Sequence, residues 1–325
     1  MVNEFILKGR DEYDFPKSIK RYILDNDNDG KIKKNINRVR QLRKIIKTEH
    51  PELVLSFMGR QNYRMYLASY GIDVKKIISV RNDPKIEYGR GIKKIIANKV
   101  FESMDGCVFQ THEAQKYFTP KLVAKSKVII NGLGDIFYEQ KYNPDAKNIV
   151  SIGRLESQKN FKMLIDAFGE IEELFPEEKL IIFGEGYLEE QLKSYIKKKK
   201  YEKKIILAGI TQNVPQKLSE SKLFVMSSDY EGMPNALMEA MAVGLPCICT
   251  DCPCGGPREL MRDGMEGYLV ECGNVKQMAE KMKMLLEDRN LRIKIGENAK
   301  LRAQKFRAKT VYAMWEDYLF FSEEN

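Results

Sequence analysis

The sequence predicts an α/β protein made of two Rossmann-like domains facing each other across a cleft. Three observations carry that expectation. Short β-rich apolar runs alternate with stretches of roughly 10–20 residues at helical spacing, the pattern of parallel sheets covered by helices. The chain has 325 residues, which is about two domains by the usual size relation. A polar segment with an Asn-Pro step, residues 137–148, separates two such series and marks a junction. The expected division is 1–144, 145–307 and a terminal helix at 308–325 that packs back across the junction. In such sheets ligands bind beyond the C-terminal ends of the strands.

Taken in order, the first-half strands are VNEFIL, PELVLSF, KKIISV, GCVF and KVII. The second-half strands are NIVSIG, KLIIFG, KIILAG, KLFVMS and LPCICT. Ile32, Ile36, Val39, Leu42 and Ile46 recur every three or four residues, so 31–47 reads as an amphipathic helix. Residues 161–175 read as another helix, ending before Pro176. Gly89 and Gly91 sit inside a helical pattern. The run at 197–200 is expected to cap and solvate a helix end. Val311, Trp315, Tyr318, Leu319 and Phe320 give the last helix an apolar face to bury.

Composition narrows the function. With 43% hydrophobic and 31% charged residues the chain is neither collagenous, disordered nor a disulfide scaffold. No run approaches the roughly 18 apolar residues of a membrane span, and no signal peptide is visible, so a cytoplasmic protein is expected. The net charge of +9 is uneven. Residues 1–150 hold 29 basic and 18 acidic residues, and residues 151–325 hold 26 and 28. Much of the excess lies in 31–47. One reading is a solvated helix face. The other is a surface for anionic lipid headgroups or a phosphate-bearing acceptor, with peripheral attachment to the inner face of the membrane. No nucleic-acid motif accompanies the charge, and nucleic acid is not expected.

The chemistry gathers at strand ends in the second half. Arg154 and Lys159 flank a strand-to-helix turn after Gly153. A guanidinium, an ammonium and a helix N-terminus together suit a diphosphate, although an Arg and a Lys near a turn also occur with no function. Gly184 and Gly186 follow the next strand, and either a tight turn or close ligand approach explains them. Glu231 lies in a loop, Pro234 suits a first helical turn, and Glu239 falls on a helix apolar on nearly every side. A carboxylate there must be paired or hydrogen-bonded, as a structural acid or as an acceptor for sugar hydroxyls. Cys247, Cys249, Cys252 and Cys254 lack a second well-spaced pair or a nearby His, so no metal is expected. His50 and His112 read as surface or cleft residues.

Glu231 and Glu239 form an E-x7-E pattern, in order with GRLESQKN, IIFGEG and EAMAVGLP. This set resembles the retaining glycosyltransferases of family 4, with the two-domain GT-B fold. The likeness covers nearly all of 148–290 and is looser in the first half, through PELVLSF, KKIISVRNDP and GCVFQTHEAQKYF. It implies that Arg154 and Lys159 neutralise the donor diphosphate, that Glu231 contacts the transferred sugar and that Glu239 binds the ribose. Gly232, Met233, Pro234 and Asn235 would line sugar and phosphates, and Ile210 would border the base. Arg81 and Asn82 stand where that family often has a His facing the cleft. The resemblance further implies a nucleotide-sugar donor, with UDP-sugars expected first as the commonest donors of the group, no cofactor, and a lipid-linked or polysaccharide acceptor in cell-surface glycan synthesis. The usual opening strand, Gly-rich loop and helix have no counterpart, so the first domain is expected to lack its first βα unit. The alternative is a non-catalytic nucleotide-sugar-binding homologue.

Overall fold

The computed structural model describes residues 1–3, 16–24 and 30–321. The expected strand VNEFIL therefore lies outside the described residues beyond Asn3. The chain forms two compact units. The first comprises Met1–Arg81, Lys85–Val108 and Phe118–Lys127, and the second Asn82–Pro84, Phe109–Tyr117 and Val128–Asn325. No described helix is long and apolar enough to cross a membrane.

In the first unit β1 (Val2–Asn3) pairs in parallel with β2 (Tyr22–Ile23). A four-stranded sheet follows in the order β3 (Leu53–Phe57), β4 (Lys75–Val80), β5 (Gly106–Phe109) and β6 (Ser126–Val128). The basic helix runs over Lys31–Glu49 and ends on His50 in the left-handed region. Its Val39, Leu42 and Ile46 pack with Ala68 and Val74, while Ile32 and Ile36 stay exposed. Only the C-terminal half of its apolar stripe therefore serves the core. Gly89 and Gly91 do not sit within a helix. Both have positive φ, and they separate Pro84–Glu87 from Ile92–Glu102, a conformation that glycine adopts at little cost.

The second unit holds β7 (Asn148–Ile152), β8 (Lys179–Phe183), β9 (Ile205–Gly209), β10 (Ser221–Met226), β11 (Cys247–Thr250) and β12 (Gly267–Val270). Their spatial order is β12-β11-β10-β7-β8-β9, with every pairing parallel. This is the dinucleotide-fold order 3-2-1-4-5-6, and it places a topological switch point between β7 and β10. Strand side chains alternate between two cores. Ile149, Leu223, Val225 and Ile248 join one, and Val150, Phe224, Met226, Cys247 and Cys249 the other.

Other sequence expectations also need adjustment. The strands β2, YI, and β12, GYLV, were not anticipated. The helix from Phe161 stops at Gly169 rather than at residue 175, and turns carry the chain on through residue 174; Gly169 itself leaves room for Tyr201, since a Cβ there would sit 2.4 Å from the Tyr201 hydroxyl. The polar segment 137–148 lies within the second unit, with the Tyr138 hydroxyl donating to Ala303 O at 2.8 Å and that of Tyr142 to Lys222 O at 2.9 Å. The last helix, Ala308–Glu316, continues as a π turn over Asp317–Phe321. Its first turn is tied to Leu133 by Ala308 N to Leu133 O at 2.9 Å, and it buries Val311.

Candidate active site

The switch point is where the informative side chains meet. Beyond β7 the chain turns through Gly153 to Lys159 and enters helix Phe161–Gly169. Asn160, in the left-handed region, caps that helix by accepting from Met163 N, and its Nδ2 donates to Asp229 Oδ1 at 2.8 Å. Beyond β10 the chain runs Ser227, Ser228, Asp229, Tyr230, Glu231 and then enters helix Asn235–Val243 behind Pro234. The two loops are joined by backbone as well, since Asp229 N donates to Gln158 O at 2.9 Å.

Glu231 is 6% exposed and held by three side chains. Its Oε1 accepts from Lys159 Nζ at 2.5 Å and from Ser228 Oγ at 2.8 Å, and its Oε2 from Gln158 Nε2 at 3.3 Å. Burying a carboxylate so deeply requires this set of partners. Lys159 is itself held along its stem, because Gly153 has no side chain to displace it: a Cβ there would lie 3.1 Å from Lys159 Cε. An ammonium has three N–H donors, so one bond to Glu231 leaves two for an anion.

The glycines of the neighbouring loops have packing reasons. A Cβ on Gly184 would lie 1.9 Å from Gly153 O, and one on Gly186 would lie 2.4 Å from Leu155 O. Gly256, not singled out by sequence, supports the Glu231 loop from behind; its Cβ would meet Gly232 O at 2.0 Å. Gly232, Met233 and Pro234 are buried, while Asn235 is exposed at the helix start and its Oδ1 accepts from Asn131 Nδ2 at 2.5 Å.

Arg154 stands apart. It is exposed and donates to Glu156 Oε1 at 2.9 Å. Glu239 lies in the second turn of a helix whose Leu237, Met238, Ala240, Met241, Ala242 and Val243 are all buried. No described group pairs with its carboxyl, and burial pushes its pKa up to about 7. Ile210 follows β9 and is exposed. Arg81 belongs to the first unit, where it stacks over Phe57 at 4.9 Å and burial lowers its pKa to about 10. Asn82 belongs to the second, where its carbonyl accepts from Cys254 Sγ at 3.9 Å. The structure thus brings Gly153, Lys159, Glu231 and Gly232 into one constellation, with Gly184 and Gly186 packed on its edge.

Sequence reasoning missed Ser228, Gln158, Asn160, Asp229 and Gly256. The signal for two of them was present, since polar Ser228 and Asp229 directly follow an apolar strand. Cys247 and Cys249 lie in β11, and Cys252 and Cys254 in the loop beyond. Burial, followed by neighbouring thiols and then Glu231, raises the Cys249 thiol, and burial followed by Glu231 raises that of Cys252, which disfavours the thiolates a metal would need. Among the described residues no group of three or more His, Cys, Asp or Glu is disposed to hold a metal ion. His112 is tied to Glu259, with Nδ1 3.0 Å from Oε1.

Comparison with known proteins adds the family. The family model for glycosyl transferases group 1 matches residues 135–302. An N-acetylgalactosamine-N,N'-diacetylbacillosaminyl-diphospho-undecaprenol 4-alpha-N-acetylgalactosaminyltransferase of Campylobacter jejuni is 37% identical over 77% of this chain and 71% of its own. An uncharacterized glycosyltransferase of Methanocaldococcus jannaschii is 32% identical over 70% of this chain; the match spans 62% of that relative's length. Among solved structures, HepE of Anabaena in complex with UDP and glucose superposes with a TM-score of 0.79 at 20% identity, covering 92% of this chain and 85% of that one. The α/β architecture with two Rossmann-like sheets is that of GT-B glycosyltransferases.

Proposed function

The chain belongs to the group 1 glycosyl transferases, and from that premise we propose that it is a retaining enzyme of family 4, moving a sugar from a UDP-sugar to a lipid-linked or polysaccharide acceptor in cell-surface glycan synthesis. The observation that carries this reading is the Lys159–Glu231 pair at the switch point, a cation and an acid fixed side by side where such folds bind nucleotides.

In this reading the bond between the sugar's anomeric carbon and the diphosphate breaks. Positive charge grows on the ring and negative charge on the leaving group. Lys159, with its two remaining N–H donors, Arg154 and the N-terminus of helix Asn235–Val243 take up the leaving charge. With these positive groups at the diphosphate, the reading requires no metal cofactor. Glu231, oriented by Ser228 and Gln158, accepts from the sugar's hydroxyls with its less occupied Oε2. Glu239, raised in pKa and without a partner among the described residues, accepts from the ribose. Gly232, Met233, Pro234 and Asn235, through the backbone N–H groups that all but Pro234 carry, and the glycines Gly153, Gly184 and Gly186 line sugar and phosphates, Ile210 borders the base, and Arg81 and Asn82 serve the acceptor side.

The sugar class is a hexose or N-acetylhexosamine. The C. jejuni relative's name specifies a diphospho-undecaprenol acceptor, and the excess charge of the first half suits such a phosphate or an anionic membrane surface at its cytoplasmic face. The test is a screen of UDP-, GDP- and ADP-sugars for protection against heat, followed by transfer to a polyprenyl-diphosphate saccharide. Protection by a UDP-sugar and transfer with retained anomeric configuration are expected. Transfer with inversion, or no protection by any nucleotide sugar, overturns the reading.

A further inference from the structure

Three side-chain amides of the second unit form a chain that ends on the helix beyond Glu231. Gln110 Nε2 donates to Asn131 Oδ1 at 2.7 Å, and Asn131 Nδ2 donates to Asn235 Oδ1 at 2.5 Å. The three come from separate parts of the sequence. Gln110 directly follows β5, Asn131 lies in the segment after β6, and Asn235 is the first residue of helix Asn235–Val243. Neither Gln110 nor Asn131 has a part in the donor reading, which takes from Asn235 only its backbone N–H.

The first two amides are anchored. Gln110 is 4% exposed. Ile129 N donates to Phe109 O at 2.8 Å, which brings the chain before Asn131 alongside Gln110. After Asn131, Leu133 N donates to Phe306 O at 2.7 Å and Leu133 O accepts from Ala308 N at 2.9 Å. Gly132 packs against the same segment, since a Cβ there would lie 3.1 Å from Ala308 Cα. Backbone bonds on both sides therefore hold Asn131, and its amide is presented from a fixed segment.

An amide carries one acceptor oxygen and one donor nitrogen, so engaging one end assigns the other. Asn131 uses its oxygen for Gln110 and its nitrogen for Asn235. Asn235 in turn engages its oxygen. Its Nδ2 ends the chain, on a residue exposed to solvent and with no acceptor among the described residues. The chain thus runs in one direction and delivers a donor. It does so at the start of a nine-residue helix, where free N–H groups and the positive end of the dipole already favour an anion. A sugar hydroxyl can donate or accept and does not need an amide held in one sense. A phosphate oxygen only accepts. Glu231, placed by the donor reading on the transferred sugar, stands four residues earlier in the same loop. The phosphate nearest Asn235 is then the one that carries the sugar.

We infer that Asn235 Nδ2 donates to the sugar-bearing phosphate of the donor, and that Asn131 is the positioning residue that holds this amide in the donating sense. The contact rests on the donor reading and adds to it a side chain at the phosphate and a residue that acts without touching the donor. Its bond strengthens as the sugar departs and charge builds on that phosphate.

The test is calorimetric titration of UDP and of UMP into the wild type, Asn131→Ala, Asn235→Ala and the double variant. UMP lacks the second phosphate and reports nucleotide binding without the contact. The wild type binds UDP more tightly than UMP. Each single variant loses about tenfold in UDP affinity, while its UMP affinity stays within about twofold of the wild type, which also shows that the site is folded. The double variant binds UDP no more weakly than Asn235→Ala, because Asn131 acts only through Asn235. Equal losses for UDP and UMP in Asn131→Ala mark a merely structural role and overturn the assignment, as do additive losses in the double variant. A wild type that binds neither nucleotide defeats the donor reading and this contact with it. A wild type that prefers UDP, with single variants that prefer it equally, defeats this contact alone.

Discussion

Lys159 Nζ and Glu231 Oε1 lie 2.5 Å apart across the switch point of the second sheet, at 17 and 8% side-chain exposure. The contact joins residues 72 apart in sequence, one beyond β7 and one beyond β10. Each group holds the other in place. The buried acid fixes the ammonium where an anion would approach, and the ammonium makes the buried acid tolerable.

Removing one partner is therefore expected to cost more than removing both. Lys159→Met leaves a buried carboxylate with only Ser228 and Gln158 and destabilises the fold by about 3 kcal/mol. Adding Glu231→Gln recovers at least about 1 kcal/mol of that loss. Urea unfolding of the two single variants and the double variant measures the coupling; additive losses contradict the pairing.

Glu239 predicts a pH dependence. Burial raises its folded pKa to about 7, above the ordinary 4.5. Between those values the folded chain holds the proton more tightly than the unfolded one, so the contribution of this group to stability falls as pH rises through that window. Glu239→Gln is expected to melt higher than the wild type at pH 8, by on the order of 1–3 kcal/mol in stability, and at nearly the same temperature at pH 4.5. Nucleotide-sugar protection is lost in the same variant. Parallel melting curves across pH contradict the buried, unpaired carboxyl.

Gly256→Ala tests the support behind the site. The added Cβ falls 2.0 Å from Gly232 O, so the 231–234 loop must shift. Donor affinity is expected to drop about tenfold or more, with loss of a few kcal/mol in stability. Unchanged affinity, read by calorimetric titration, shows that the loop does not bear on the donor.

Arg154 is the opposite case. Among the described residues its exposed guanidinium bonds Glu156 alone, and an exposed pair of this kind is worth little. Arg154→Ala should alter stability by no more than about 0.5 kcal/mol yet weaken donor binding by about tenfold. A loss of stability without a loss of affinity reverses its assignment.

Much of this was legible in the chain. Nine apolar runs announced the nine strands β3 to β11, because parallel strands buried on both faces read as continuous apolar stretches. β2 and β12 escaped, since two residues, and four beginning with Gly267, give runs too short to read, and β12 pairs on one side alone. The end of helix Phe161–Gly169 was invisible because the helical spacing of Phe168, Ile171 and Phe175 runs on through the turns at 170–174. Gly89 and Gly91 were misread because helical spacing does not register φ. At the site, Lys159 and Glu231 were legible as residue types, but their direct pairing was not. That pairing and the roles of Gln158, Ser228 and Gly256 arise only when strand order brings separate loops together.

The most direct measurement is calorimetric titration of UDP and UDP-sugars into the wild type, Arg154→Ala and Glu239→Ala. The account predicts binding to the wild type and a loss of about tenfold or more in each variant, because one side chain meets the diphosphate and the other the ribose. Equal affinities in all three proteins would contradict a donor site at the ends of β7 and β10.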